Sequence, residues 1–116
     1  MIPRRGNVYL VSFDPAIGAE IRKTRPAVVV QNDVANRHSP ITIVAAVTSR
    51  VDGPSYPTEV RLPAGTAGSK VPSAVLTNQL RSMDRGRLIR RIGALDGETM
   101  REVDRALAIS LGMVRL

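Results

Sequence analysis

The run Ala27-Val28-Val29-Val30, entered through Arg25-Pro26, is the segment that most constrains how this chain can fold. Strands covered on both faces read as continuous Val/Ile runs, so this stretch predicts a buried strand and a rigid base for whatever precedes it. Pro26 fixes its own φ, offers no N–H and pushes Arg25 towards an extended conformation. The arginine is therefore held at the strand start. Ahead of it, Ile17-Gly18-Ala19-Glu20-Ile21-Arg22-Lys23-Thr24 places one carboxylate and further cations in a Gly-bearing loop. Charges at a strand mouth suggest chemistry, and the plain alternative is a solvated loop.

The remaining patterns predict a mainly β, α+β chain closed by one helix. Asn7 to Phe13, Pro26 to Gln31, Ile41 to Thr48, Thr58 to Leu62, Ser73 to Leu80 and Leu88 to Leu95 read as strands. Asn32 to Pro40 is a polar connector with room for one helical turn. Arg50 to Pro57 and Pro63 to Pro72 are rich in Gly, Pro and Ser and read as loops. After Asp96, a capping residue, Met100, Val103, Leu107, Leu111 and Val114 recur at helical spacing and predict a helix packed on the sheet. With 116 residues and no internal repeat or long linker, residues 1–116 are expected to form a single domain.

Composition narrows the chemistry. There is no cysteine and a single histidine, His38, so disulfides, thiolate nucleophiles and two-histidine acid/base mechanisms are excluded. No metal-ligand spacing is visible, and neither metal nor cofactor is expected. Nothing reads as a signal peptide or membrane span, which suits a cytoplasmic protein. The net charge of +7 raises the local concentration of polyanions, with nucleic acid or an acidic partner protein first among them. Arginine dominates, in one cluster of Arg22, Lys23 and Arg25 and another of Arg81, Arg85, Arg87, Arg90 and Arg91. Tyr9 and Phe13 read as core, which leaves too few aromatics for a base-stacking reader. Gly65-Thr66-Ala67-Gly68-Ser69-Lys70 lacks the Gly-Lys-Ser/Thr ending of a phosphate loop.

What remains is a set of carboxylate, guanidinium, amide and hydroxyl groups at strand ends: Glu20, Arg25, Thr48, Ser49, Gln79 and Arg81. RNA supplies its own nucleophile, the 2′-hydroxyl, so such groups suffice for its cleavage. Glu20 would take the proton, Arg25 would stabilise the non-bridging phosphate oxygens, and Thr48 would donate a hydrogen bond to the phosphate. Gln79 or Arg81 would orient it. For each residue a structural role is the competing reading: strand termination, backbone satisfaction or a surface ion pair.

Arg5-Gly6-Asn7-Val8-Tyr9, Phe13 to Glu20, Lys23 to Val30, Gln31-Asn32-Asp33, Asn36-Arg37, Ser39-Pro40, Ile43 to Thr48 and Asn78 to Asp84 form an ordered set of blocks. The sequence so read resembles the MazF/PemK toxins, ribosome-independent endoribonucleases of bacterial toxin–antitoxin modules. The resemblance implies a compact, partly open SH3-like β-barrel, a homodimer, and cleavage of single-stranded RNA at short sequences leaving a 2′,3′-cyclic phosphate and a 5′-hydroxyl. It also implies an acidic antitoxin as partner. By position it makes Arg25 and Thr48 the catalytic pair and Glu20 a loop carboxylate with a catalytic role in some members. Gln79 and Arg81 match a block bordering the RNA groove, with Asn78 where an acidic residue often stands; Arg22, Lys23 and Ser49 are further candidate RNA contacts. Ala19 replaces the histidine of the Kid/PemK branch, so the Arg/Thr branch is the better guide. A fold of this kind also serves the gyrase-poisoning toxin CcdB, which keeps a protein target, or a nucleic-acid-binding module without catalysis, as alternatives.

Overall fold

The computed structural model describes residues 2–115. Its strands are β1 (Asn7–Ser12), β2 (Thr24–Val29), β3 (Ile41–Thr48), β4 (Glu59–Leu62), β5 (Ser73–Asp84) and β6 (Leu88–Ala94). They form one antiparallel sheet in the order β4-β5-β3-β2-β1-β6. A short helix, α1 (Asp33–His38), sits in the polar connector, and α2 (Gly97–Ser110) follows the last strand. The sheet does not close into a continuous ladder. The β4–β5 loop instead reaches β6: a Cβ on Gly68, where φ is +79°, would stand 2.2 Å from the Ile92 carbonyl oxygen. Only glycine permits that approach.

The Val run behaves as its composition demands. Val28 packs with Ala45, Val47, Val60, Val75, Val103 and Ala106 beneath α2, while Ala27 and Val29 join Tyr9, Val11, Phe13, Val44, Ala46, Met83 and Leu88 on the opposite face. All of these are buried. Burying them stabilises the sheet by roughly 1.5–3 kcal/mol for each of the larger side chains, and it makes β2 and β3 the rigid centre of the molecule.

Two expected boundaries shift for identifiable reasons. β2 starts at Thr24 rather than Pro26, because Thr24, Arg25 and Pro26 pair with Ser12, Val11 and Leu10 of β1 even though the ladder to β3 begins only at Ala27. β5 runs on to Asp84 instead of ending at Leu80. Ala45 faces Leu80 while Ala46 faces Leu76, so Thr77, Asn78 and Gln79 bulge out of the ladder and pairing then resumes. Alternation cannot be followed through such an insertion.

The helix stripe is also shorter than its periodicity suggests. Asp96 caps α2 by accepting a hydrogen bond from the Thr99 amide at 2.7 Å, and Val103 and Ala106 are buried. Gly112, with φ +74°, ends it: its amide donates to the Ile109 carbonyl and the Met113 amide donates to that of Ala108. This is a Schellman closure, and it directs the chain away from the sheet. Leu111 and Val114 are consequently exposed rather than part of the packed face.

Candidate nucleic-acid interface

The site begins where β2 and β3 part. Their last paired residues are Ala27 and Ala46, and extending that register sets Arg25 level with Thr48. Side chains alternate along strands, so Arg25 continues the face of Ala27 and Val29, and Thr48 that of Val44 and Ala46. Both are half-buried. Proline supplies no N–H at position 26, and the strands diverge beyond it.

A groove of about 420 Å³ occupies the split, lined by Ala19, Glu20, Ile21, Arg22, Lys23, Arg25, Thr48, Arg50, Leu76 and Gln79. It brings together Arg25, Thr48, Glu20, Gln79, Arg22 and Lys23. Ser49 is exposed beside Thr48, and Asn78 is exposed on the bulge, but neither lines the groove. Arg81 lies in an adjoining cleft with Phe13, Glu20, Ile21, Gln79 and Leu80. Its guanidinium donates to the carbonyls of Phe13 and Pro15.

Arg50 and Leu76 are lining residues that the sequence reading misses. Arg50 carries a legible signal, a cation directly after Thr48-Ser49; Leu76 carries none, because only the register of β5 against β3 and β4 brings it to the groove.

Hydrogen bonds fix the loop between β1 and β2 into this wall. Glu20 Oε1 accepts from the Ile17 amide at 2.7 Å, closing a turn around Gly18. Arg25 Nε donates to the Arg22 carbonyl at 3.2 Å, which leaves its terminal nitrogens available to a ligand. Gln79 Oε1 accepts from the Ile21 amide at 3.3 Å, and Thr48 Oγ1 accepts from the Arg50 amide at 3.1 Å while keeping its own hydroxyl proton to donate. Lys23 adopts φ +68°, a left-handed conformation uncommon for a side-chain-bearing residue, and its amide donates to Asp14 Oδ1 at 3.0 Å. Such strain persists where surrounding contacts hold it.

The groove is cationic: Arg22, Lys23, Arg25 and Arg50 surround the one carboxylate among its lining residues, Glu20. Guanidinium and ammonium groups around a hydroxyl suit a phosphodiester, whose oxygens accept forked hydrogen bonds. Among the described residues, no three His, Asp or Glu side chains converge as a metal-ligand group. Among them, too, no helix is long and apolar enough to cross a membrane.

Residues 4–111 match the model of the PemK-like, MazF-like toxins of type II toxin–antitoxin systems. The chain belongs to this family. It is 42% identical to the endoribonuclease EndoA of Bacillus subtilis strain 168 over 114 residues, 98% of each chain. Among solved structures it is similar to MazF of Deinococcus radiodurans, with 32% identity, a TM-score of 0.83, and 97% of this chain and 99% of that one covered. A MazE–MazF structure from the same organism matches at 32% identity and TM-score 0.77, covering 98% and 99%. The expected mainly β fold with a C-terminal helix and an unclosed sheet thus stands as a MazF-type fold.

Proposed function

We propose that this MazF-type toxin is a sequence-specific, ribosome-independent endoribonuclease that cuts single-stranded RNA in the split between β2 and β3. The observation that carries the proposal is the convergence of Arg25, Thr48 and Glu20 on one cationic groove. In the reaction the 2′-oxygen attacks the adjacent phosphorus as Glu20 accepts its proton, and the bond from phosphorus to the 5′-oxygen breaks. The leaving 5′-oxygen takes a proton from water, and Glu20 returns its own to solvent afterwards. The products are a 2′,3′-cyclic phosphate and a 5′-hydroxyl. The phosphorane carries more negative charge on its non-bridging oxygens than the starting diester does, so donors fixed by strands stabilise the transition state more than the ground state. Arg25 supplies the charged donors and Thr48 a neutral one. Arg22 and Lys23 bind flanking phosphates; Ser49, Asn78 and Gln79 contact the RNA along the β3 and β5 side.

This reading also assigns a homodimer in the cytoplasm and an acidic antitoxin that covers the groove. The net charge of +7 favours such a partner, and MazF of Deinococcus radiodurans has been solved with MazE. The deciding experiment is incubation of the purified protein with a long single-stranded RNA, with a duplex of the same sequence as control. Cuts at a short recurring sequence bearing 5′-hydroxyl ends are expected in the single strand alone. Intact RNA, or 5′-phosphate ends, rejects the proposal.

A further inference from the structure

We infer that Arg81 and Arg87 are positioning residues that grip the entering limb of the β1–β2 loop, and so hold the groove wall in place, rather than ligands for phosphate. Arg81 Nη1 donates to the Phe13 carbonyl and its Nη2 to that of Pro15 at 3.3 Å. Arg87 Nη1 donates to the carbonyls of Ser12 at 3.3 Å and Asp14 at 2.6 Å. Two guanidinium groups thus hold the consecutive carbonyls of Ser12, Phe13, Asp14 and Pro15, just where the chain leaves β1. Arg81 uses both arms of its planar fork, whose donors are fixed relative to one another, and Arg87 bridges two carbonyls through Nη1.

The grip is transmitted to the groove by a short route. The Phe13 amide donates to the Lys23 carbonyl at 2.8 Å, and the Lys23 amide donates to Asp14 Oδ1, so the entering and leaving limbs are tied together beside Arg25. Gln79 and Arg81, two positions apart on β5, face the loop together. Gln79 takes the limb at Ile21 and Arg81 the limb at Phe13 and Pro15. Arg87 enters from the 3-10 turn Arg85–Arg87 that follows β5. One strand and its turn therefore hold both sides of the loop carrying Glu20, Arg22 and Lys23.

Both arginines are half-buried, and among the described residues neither has a carboxylate within ion-pair distance. Their bonds run to backbone carbonyls instead. That distinguishes them from Arg90 and Arg91, which are exposed on β6.

This inference rests on the proposed RNA cleavage for its kinetic consequence but not for its structural one, and the test uses both. Arg87→Met removes the donors and keeps the length; Arg87→Lys keeps the charge and N–H donors on one nitrogen. In full-length Arg87→Met kcat is expected to fall about 10-fold or more, since small displacements of positioned groups are costly, with a smaller fall in Arg87→Lys and the log–log salt slope of KM unchanged in both. Amide hydrogen exchange at residues 16–23 should accelerate with β2 and β3 still protected. A raised KM whose log–log salt slope is shallower by about one, with loop exchange unchanged, makes Arg87 a phosphate contact and overturns the inference. Full kcat and protection in Arg87→Met overturns it as well, because the donors are then not needed. If the native protein cuts no RNA, the proposed function falls, and the exchange measurement still decides: unaltered exchange in Arg87→Lys, the milder variant, and in Arg87→Met rejects the grip.

Discussion

Arg25 and Thr48 stand level across the split between β2 and β3, one step of side-chain alternation beyond the last paired residues, Ala27 and Ala46. The pairing register sets their separation, and fully buried valines on both strands hold that register. Sliding β2 by a single residue would turn Val28 from one core to the other, so the relative position of the two side chains is as well determined as the core itself.

Arg25→Ala and Thr48→Ala should each reduce the cleavage rate of a single-stranded RNA by about 10²–10³, the usual cost of deleting a donor aimed at transition-state charge. Neither side chain is needed by the core, so thermal stability should change by less than about 1 kcal/mol. Thr48→Ser keeps the hydroxyl and should keep most of the rate. Rates measured beside a thermal melt separate the two effects, and a fully active Arg25→Ala protein would remove Arg25 from the chemistry.

Glu20 has two candidate roles, and one pair of variants separates them. Its Oε1 closes the turn at Ile17, an acceptor role that glutamine can also fill, whereas proton removal requires the carboxylate. Glu20→Gln should therefore lose about 10²–10⁴ in rate if Glu20 is the base, with the loop still ordered by hydrogen exchange. A Glu20→Gln protein as fast as wild type, beside a slow Glu20→Ala protein, would reduce the residue to a turn cap.

How much of this arrangement was legible in the sequence depends on the range of the interactions involved. The run from Ala27 to Val30 and the strand from Ile41 to Thr48 are marked by β-branched residues, Asp96 marks a helix start, and Tyr9 and Phe13 are in the core as their setting suggests. Those are local signals. The extent of β5 was hidden because a bulge interrupts alternation, and the end of α2 because Gly112 outweighs a continuing apolar period. In the site, Arg25 and Thr48 could be singled out as strand-end groups, but their shared level depends on pairing between segments distant in sequence. The two faces of the arginine-rich stretch from Arg81 to Arg91 were equally hidden. Residues 81, 85 and 87 turn to backbone carbonyls, and only the folded chain reveals those acceptors.

Acid should weaken the fold through two hydrogen-bonded carboxylates, Asp33 in the first turn of α1 and Asp96, the cap of α2. Hydrogen bonding from the Arg5 amide holds Asp33 below its ordinary value of 3.8, and the Thr99 amide does the same for Asp96. A carboxylate whose pKa is lowered by folding contributes stability that is present above its unfolded value and lost as pH falls through its folded one. Melting temperature should thus decline below about pH 4 as these groups protonate. Asp96→Asn retains a good cap without the titrating charge, and it should flatten part of that decline; an identical acid profile in this variant would show that Asp96 contributes nothing to it.

The bulge makes a prediction that links the core to the groove. Thr77 is fully buried, and its hydroxyl lies 2.6 Å from the Thr58 carbonyl and 3.2 Å from that of Ala106, while Ser110 Oγ donates to the Thr77 carbonyl at 3.0 Å. These contacts turn Thr77 towards α2, and the next residues swing outward until Gln79 meets the loop. Thr77→Val preserves shape but removes the hydroxyl donor, while the Thr58 carbonyl keeps its bond from the Thr77 amide at 3.1 Å, so the cost is that of one net hydrogen bond, about 0.5–1.5 kcal/mol. Chemical denaturation should register that loss. Because the bulge also sets Gln79, the variant should show faster amide exchange at Ile21, whose N–H is bound to Gln79 Oε1. Thr77→Ser, which keeps the hydroxyl, should restore the Ile21 protection; if Thr77→Val leaves exchange at Ile21 untouched, the bulge and the groove wall are independent.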